Sequence, residues 1–446
     1  MNPRLDAMRT PVQLNDEISP LRKVVVHQPG DEIVRMTHWD LERLLFDDLL
    51  SPAETAREHE LMTQILSDAG AEVVEITTLL ADAITRAPVA ALEQLVHRIC
   101  DLAGVGELSA KLARWPSDAL ARGLVCGINW ADVPEVPPSL ARIRAGIFDP
   151  RDMALNPLPN LMFMRDPCIA IYDRLVVSRM ATPARAREAL LAGFALEWSE
   201  HGIAGELSFA DAHTMPESHS GLEGGDVLVL SPEVIMIGCS ERSQPQTIEF
   251  LARDVLFPSF PKLERVYVVM LPQQRSMMHL DTVLTQVDVG LFLGHAPLLR
   301  RSLAAGGAGV VCLAPGRAPQ LREQQSVLDV LRESFGNDTK LVPCGGEDPL
   351  HQEREQWTDG ANAICLAPGK IILYSRNVRT IEALAELGFE HARVSVVQEP
   401  DHRRELVRAG MAAQRTVFGF SGSELSRGRG GGRCLTMPLR RDVRSC

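Results

Sequence analysis

After residue 155 the chain keeps one rhythm to its end, short apolar segments closed off by turn-forming residues, and this restricts the fold more than any other property. Ile169-Ala170-Ile171-Tyr172, Val227-Leu228-Val229-Leu230, Val234-Ile235-Met236-Ile237, Val266-Tyr267-Val268-Val269 and Ile371-Ile372-Leu373-Tyr374 all follow it. Short runs rich in β-branched residues and bounded by turn residues read as strands. Helical stretches over 183–201 and 245–256 separate some of them. The alternation predicts an α/β fold. Periodicity alone leaves an open sheet, a barrel and a propeller-like arrangement open, and no internal repeat is clear enough in the sequence to choose.

The N-terminal third has a different character. Lys23-Val24-Val25-Val26 reads as a buried strand ended by Gln28-Pro29-Gly30, and a helix follows over 53–69 with Gly70 as its stop. Val73-Val74-Glu75-Ile76 is a further short apolar stretch. Beyond residue 79, apolar residues recur at helical spacing (Leu92, Leu95, Val96, Ile99; then Leu108, Leu112) and strand signals are scarce. The expected organisation is an α/β domain over 1–78 and 151–446, interrupted by an all-helical domain over 79–150. A chain of 446 residues is long enough for both.

A net charge of -12 argues against a nucleic-acid partner and suits a small cationic substrate. No apolar run reaches membrane-spanning length, and Met1-Asn2-Pro3-Arg4-Leu5-Asp6 lacks the apolar core of a signal peptide, so the expected compartment is the cytoplasm. The nine cysteines include no C-x-x-C pair, which fits reduced thiols rather than a disulfide framework or a zinc site. Most sit in apolar runs. Cys434 instead ends Arg427-Gly428-Arg429-Gly430-Gly431-Gly432-Arg433, a glycine-rich basic run. The apolar segment Leu435-Thr436-Met437-Pro438-Leu439 follows, so the run reads as an ordered functional loop rather than a solvated tail. Its arginines are expected to favour the nucleophilic thiolate.

Four other segments concentrate polar residues beside strands. They are Asn160-Leu161-Met162-Phe163-Met164-Arg165-Asp166-Pro167, Gly221-Leu222-Glu223-Gly224-Gly225-Asp226, His279-Leu280-Asp281-Thr282 and Asp359-Gly360-Ala361-Asn362. In an extended chain His279 and Asp281 share a face. Singly, each segment has an ordinary reading as a turn, a hairpin tip or a surface pair. Together with Cys434 they form a coherent set.

The set resembles the arginine deiminase family. Further matching segments are Thr285-Gln286-Val287-Asp288, Tyr374-Ser375-Arg376-Asn377, Gly422-Ser423-Glu424-Leu425 and, near the N-terminus, Glu17-Ile18, His27-Gln28-Pro29-Gly30 and Leu44-Leu45-Phe46-Asp47-Asp48. They occur in family order across nearly the whole chain. The resemblance implies a five-bladed pseudo-symmetric α/β propeller, the pentein fold, with an inserted all-helical domain. It also implies hydrolysis of L-arginine to L-citrulline and ammonia without metal or organic cofactor.

The roles implied by the resemblance agree with elementary chemistry. Free arginine is a cation whose planar fork suits bidentate carboxylates, so Asp166 and Asp281 are expected as guanidinium clamps. Cys434 is the expected nucleophile, His279 the proton shuttle, and Glu223 the group that orients His279 and favours its protonated form. Arg185 and Arg242 match positions that hold a substrate carboxylate, and Arg429 a third contact able to close over the site. Asn160, Phe163 and Gly428 match pocket positions, and Asp226 one near the reacting guanidinium. Arg187 and Arg427 read as solvated surface charges. Family members are commonly homo-oligomers, and the same is expected here, with no nucleic-acid or membrane partner.

Between Asn377 and Gly422 the chain is longer than the family pattern. The extra part, around residues 396–408, reads as a turn and a charged helix. A surface elaboration is the plainer reading, and a lid or oligomer contact the functional one. The alternative activity is an amidinotransferase or a deiminase of a modified guanidine, which shares the cysteine and histidine chemistry but differs in acceptor and pocket. A non-catalytic arginine sensor would need carboxylates but no nucleophile. A cysteine protease or esterase is disfavoured, because paired carboxylates beside the thiol repel an oxyanion.

Overall fold

An antiparallel hairpin followed by a parallel third strand is the unit that the chain repeats. The computed structural model describes residues 9–134, 140, 143, 151–204, 207–209 and 221–443. Met1 to Asp6, Cys446 and the stretches 135–139 and 144–150 of the expected insertion lie outside the described residues.

Five sheets of three or more strands share that unit. Cys168–Ile171 pairs antiparallel with Arg174–Val177, which pairs parallel with Leu207–Phe209. Val227–Val229, Val234–Cys239 and Arg265–Met270 repeat the order, with Gly309–Leu313 and Gln320–Leu321 added at one edge. Leu284–Asp288, Leu291–Gly294 and Lys340–Pro343 repeat it again. Ile364–Ala367, Lys370–Tyr374 and Thr416–Phe420 form the fourth, extended by Glu390–Val394. The fifth joins the two ends of the chain: Met437–Arg441 pairs with Leu21–Val26, which pairs parallel with Glu72–Glu75. A parallel pairing needs a crossover. Each has helical segments in it, for example Ala186–Trp198, Val327–Phe335 and Pro52–Asp68.

Burial explains why the sequence shows continuous apolar runs instead of alternation. All six residues of Val234–Cys239 and all five of Lys370–Tyr374 are buried, as expected of strands covered on both faces. The repeat is therefore topological, and the sequence hides it because core strands of this kind share only apolar character.

Helices Ile76–Arg86, Val89–Leu102, Ser109–Leu112 and Ser117–Cys126 occupy residues 76–126, the first part of the stretch expected to be helical. Their first turn starts at Ile76 because Glu75 caps it, accepting from the Thr77 backbone N–H. Leu79, Leu80, Val96, Ile99, Leu120 and Leu124 share one core with Val176, Leu191, Ala192 and Ala195 of the first sheet unit. A short strand joins the helices here, since Ile128–Asn129 pairs with Met153–Leu155. The extra helix Pro400–Ala412 lies between Glu390–Val394 and Thr416–Phe420 in the chain and packs against both and against Pro52–Asp68. Among the described residues no helix is long and apolar enough to cross a membrane.

Candidate active site

The turn that enters the first strand of each of the five sheet units carries one of the segments singled out in the sequence. Asp166 precedes Cys168–Ile171, Glu223 to Asp226 precede Val227–Val229, and His279 to Thr282 precede Leu284–Asp288; Asp359 to Asn362 precede Ile364–Ala367, and Cys434 precedes Met437–Arg441. Equivalent ends of equivalent units thus converge. Hydrogen bonds link the five turns in a circuit. Gly225 N donates to Asp166 Oδ1 at 3.2 Å, and Leu280 N to Asp226 Oδ1 at 2.9 Å. Asn362 Nδ2 donates to the Asp281 carbonyl at 3.0 Å, Cys434 N to Asn362 Oδ1 at 3.0 Å, and Arg165 N to the Cys434 carbonyl at 3.0 Å, which returns the circuit to the first turn.

The backbone at His279 departs from the expected strand. His279 is extended, but Leu280–Thr282 is a 3-10 turn. The turn buries both His279 and Asp281 while aiming them at different partners. His279 Nε2 lies 2.9 Å from Glu223 Oε2, whose other oxygen accepts from Ala181 N at 2.9 Å. Burial would lower the imidazole pKa, but Asp166, Glu223 and Asp226 outweigh it and raise His279 to about 9. Glu223 is held down at about 2 against its own burial, chiefly by His279. The pair is an imidazolium and a carboxylate at neutral pH.

Cys434 is buried, with Sγ 3.1 Å from Asn362 Nδ2 and 3.7 and 3.6 Å from the two Asp281 oxygens. The expectation that neighbouring arginines favour its thiolate is corrected here. Burial pushes the thiol well up, and Asp281, Asp166 and Asp359 push it further. Arg433 opposes them, but its guanidinium is engaged by Glu17 at 3.0 Å and Asp281 at 2.8 Å. The glycines before it serve close approach: a Cβ on Gly430 would lie 2.3 Å from the Phe163 ring, and one on Gly431 2.6 Å from the Asn362 carbonyl.

The cavity at this centre is lined by Leu45, Asn160, Phe163, Asp166, Arg185, Arg242, Arg275, Met278, His279, Gly428, Arg429 and Cys434, and its volume is about 20 Å³. The chain's own guanidinium groups fill it. Arg185 donates to Asp166 at 2.7 Å, Glu188 at 2.9 Å and the Asn160 carbonyl at 3.2 Å. Among the described residues Asp166, Glu223 and His279 form the one cluster spaced to hold a metal ion, and the Arg185 guanidinium is the cation beside it, 2.7 Å from Asp166 and 3.7 Å from Glu223. Arg242 Nη1 and Arg429 Nε and Nη1 are buried without hydrogen-bond partners, so these two arginines hold the free donors. Arg429 lies 3.3 Å over the Trp357 ring, with its backbone in the left-handed region at φ 68°. A larger open groove of about 810 Å³, lined by Arg300, Arg332 and Lys340 among others, contains none of the converging groups, so chemistry rather than size identifies the site.

Asp226 does not line the cavity. Its oxygens accept from Leu280 N and from Ser240 Oγ at 2.7 Å, which fixes the turn carrying His279. Arg187, expected on the surface, is buried and donates to the Asn156 carbonyl. Arg427 does sit at the surface, paired with Glu424 and Asp48. No residue of 396–408 lines the cavity, and the helix following that turn packs against Pro52–Asp68, Glu390–Val394 and Thr416–Phe420. Sequence reading missed Asn362, Arg275, Met278 and Leu45 as site residues. Asn362 had a signal in its place in the fourth polar segment, and Leu45 in the matching segment Leu44 to Asp48.

The buried groups set a pH dependence. Burial raises Asp226, Asp359 and Glu188 to about 7, and neighbouring carboxylates raise His279 to about 9. Each binds its proton more tightly folded than unfolded. Their stabilisation is complete below the ordinary values and lost as pH rises through 7 and then 9. Glu17 and Glu223, held near 2, lose theirs only as pH falls below the usual carboxylate range. The unfolding temperature is therefore expected to peak near about pH 4 and fall steadily to about pH 9. A midpoint that stays level or rises over that interval in thermal melts contradicts the assignment.

Comparison with known proteins gives the family. The arginine deiminase family model matches residues 42–441. The arginine deiminase of Listeria monocytogenes serotype 4b is 32% identical over 445 residues, covering 98% of this chain and 99% of its own. That of Listeria welshimeri serovar 6b is 31% identical, covering 98% of this chain and all of its own. The solved binary complex of an AgrE mutant with L-arginine has a TM-score of 0.50 at 13% identity, covering 95% of this chain and 41% of that one. The family model and the Listeria relatives, spanning nearly the whole chain, show that it belongs to the arginine deiminase family, hydrolases of amidine carbon–nitrogen bonds.

Proposed function

We propose that the chain hydrolyses L-arginine to L-citrulline and ammonia through a covalent thiouronium intermediate on Cys434. The observation that carries this reading is a buried thiol beside a charged His279–Glu223 pair and the carboxylates Asp166 and Asp281, with unpartnered arginine donors at Arg242 and Arg429. A guanidinium entering the cavity displaces Arg185 from Asp166, which frees the Arg185 fork for the substrate carboxylate beside Arg242 and Arg429. The incoming positive charge offsets the carboxylates that hold the thiol protonated, so the thiolate forms with substrate in place. It attacks the central guanidinium carbon, and His279 gives its proton to the departing amine, releasing ammonia. His279 then takes a proton from water, which attacks the thiouronium and expels the sulfur, leaving citrulline.

The same reading takes the five sheet units as blades of a five-bladed α/β propeller with a helical insertion over 79–150. Their shared topology and the hydrogen-bond circuit through the entering turns support it.

The test is L-arginine in metal-free buffer with no added amine. Citrulline and ammonia in equal amounts are expected. Product that forms only with an added amine acceptor would move the assignment to an amidinotransferase.

A further inference from the structure

We propose that Asn362 is a catalytic residue, the hydrogen-bond donor that stabilises the Cys434 sulfur as a thiolate when it attacks and when it is expelled. The inference deepens the function proposed above and rests on it for the chemical step. The geometry leaves the amide one orientation. Oδ1 accepts from Cys434 N at 3.0 Å, and Nδ2 donates to the Asp281 carbonyl at 3.0 Å. Flipping the amide would set NH2 against N–H and oxygen against oxygen, so the network decides the assignment. The second Nδ2 hydrogen then faces Sγ, 3.1 Å away. Asn362 is fully buried, and its own N–H donates to the Asp359 carbonyl at 3.0 Å, which fixes the turn.

The other polar side chain in contact with Sγ is Asp281, whose carboxylate disfavours a thiolate. Asn362 is the counterweight within hydrogen-bond reach. A hydrogen bond to sulfur strengthens as the sulfur gains negative charge. It therefore favours thiolate over thiol before attack, weakens once the sulfur is bonded to the cationic thiouronium carbon, and strengthens again as the C–S bond breaks and the electron pair returns to sulfur. Because the same amide accepts from Cys434 N, the nucleophile and its donor keep a fixed relation through both steps.

The experiment compares Asn362→Ala and Asn362→Asp with the parent chain, reading the pH midpoint of iodoacetamide alkylation of the Cys434 peptide by mass spectrometry, beside kcat and KM for arginine. Loss of the donor is expected to raise the midpoint by about one to two pH units and lower kcat by about 10²-fold, with KM little changed. Asn362→Asp, which keeps the shape but replaces a donor with a charge, is expected to be the worse of the two. A role in packing alone reverses that order. A midpoint in folded Asn362→Ala equal to the parent's would overturn the proposal. The alkylation readout needs no turnover: a wrong function shows as absent citrulline from the parent chain, and a wrong role for Asn362 as an unshifted midpoint.

Discussion

Cys434→Ala is expected to abolish citrulline release, a loss of at least about 10⁴-fold in kcat, in a protein that still folds. Among the described thiols no other reaches the cavity. Cys239 is pushed up to about 11, and Cys100 and Cys365 to about 12, by burial, the state of inert core thiols. Water attacking arginine directly would have to displace an amine from a stable cation without the covalent step that divides the barrier. The fold should tolerate the change, because the bond from the backbone N–H of residue 434 to Asn362 does not involve sulfur. The variant is also expected to bind arginine, since the carboxylates remain. Citrulline quantified over a long incubation decides the matter. Turnover above about one per cent of the parent's by the folded variant would place the nucleophile elsewhere.

The second large effect is on stability. Arg433 is fully buried between Glu17 and Asp281, with Nη2 3.0 Å from Glu17 Oε1, Nη1 2.8 Å from Asp281 Oδ2, and a further bond of 2.7 Å to the Val227 carbonyl. Glu17 stays ionised, at about 2, against its own burial because Arg433 and Arg165 face it. Arg433→Met keeps most of the volume and removes the cation that faces two buried carboxylates and donates to a carbonyl. Breaking such a network by deleting one partner costs about 3–5 kcal/mol. Equilibrium unfolding in urea measures it. A variant within about 1 kcal/mol of the parent would show that Arg165 and Arg441 take over the neutralisation.

Much of the site was legible in the sequence because its chemistry needs rare residue types beside strands. Cys434 and Arg429 stand out in a glycine-rich basic run, and His279, Glu223 and Asp166 in short polar segments beside apolar strands. What the sequence could not show was who pairs with whom. Arg185 reads as a free cation for a substrate carboxylate, yet it closes on Asp166 because the buried carboxylate recruits the nearest guanidinium. Arg187 reads as a surface charge because two arginines flank one alanine, and only the packing of Ala186–Trp198 reveals that its side faces inward. The 3-10 turn at Leu280–Thr282 resembles a strand in one dimension, since both His279 and Asp281 are buried either way. Asn362 was hidden for another reason: asparagine before a strand is ordinary turn chemistry, and its role comes from contact with a residue 72 positions away. The repeated unit was invisible because the sheets share strand order and not side-chain identity.

The pairing of Leu21–Val26 with Met437–Arg441 has a consequence for how the protein is made. During synthesis one of the first strands to emerge meets Glu72–Glu75 early, then waits with an open edge for one of the last. Contacts so distant along the chain form slowly, and an unpaired edge invites association with other chains. Cys434 lies just before the closing strand, so its thiol reaches the centre as that sheet is completed. A chain not yet extended to residue 434 carries the histidine and the carboxylates but no thiol at the centre. Under the proposed mechanism, activity therefore reports only molecules in which this sheet is complete, and the burden of protecting the others falls on whatever shields the edge of Leu21–Val26.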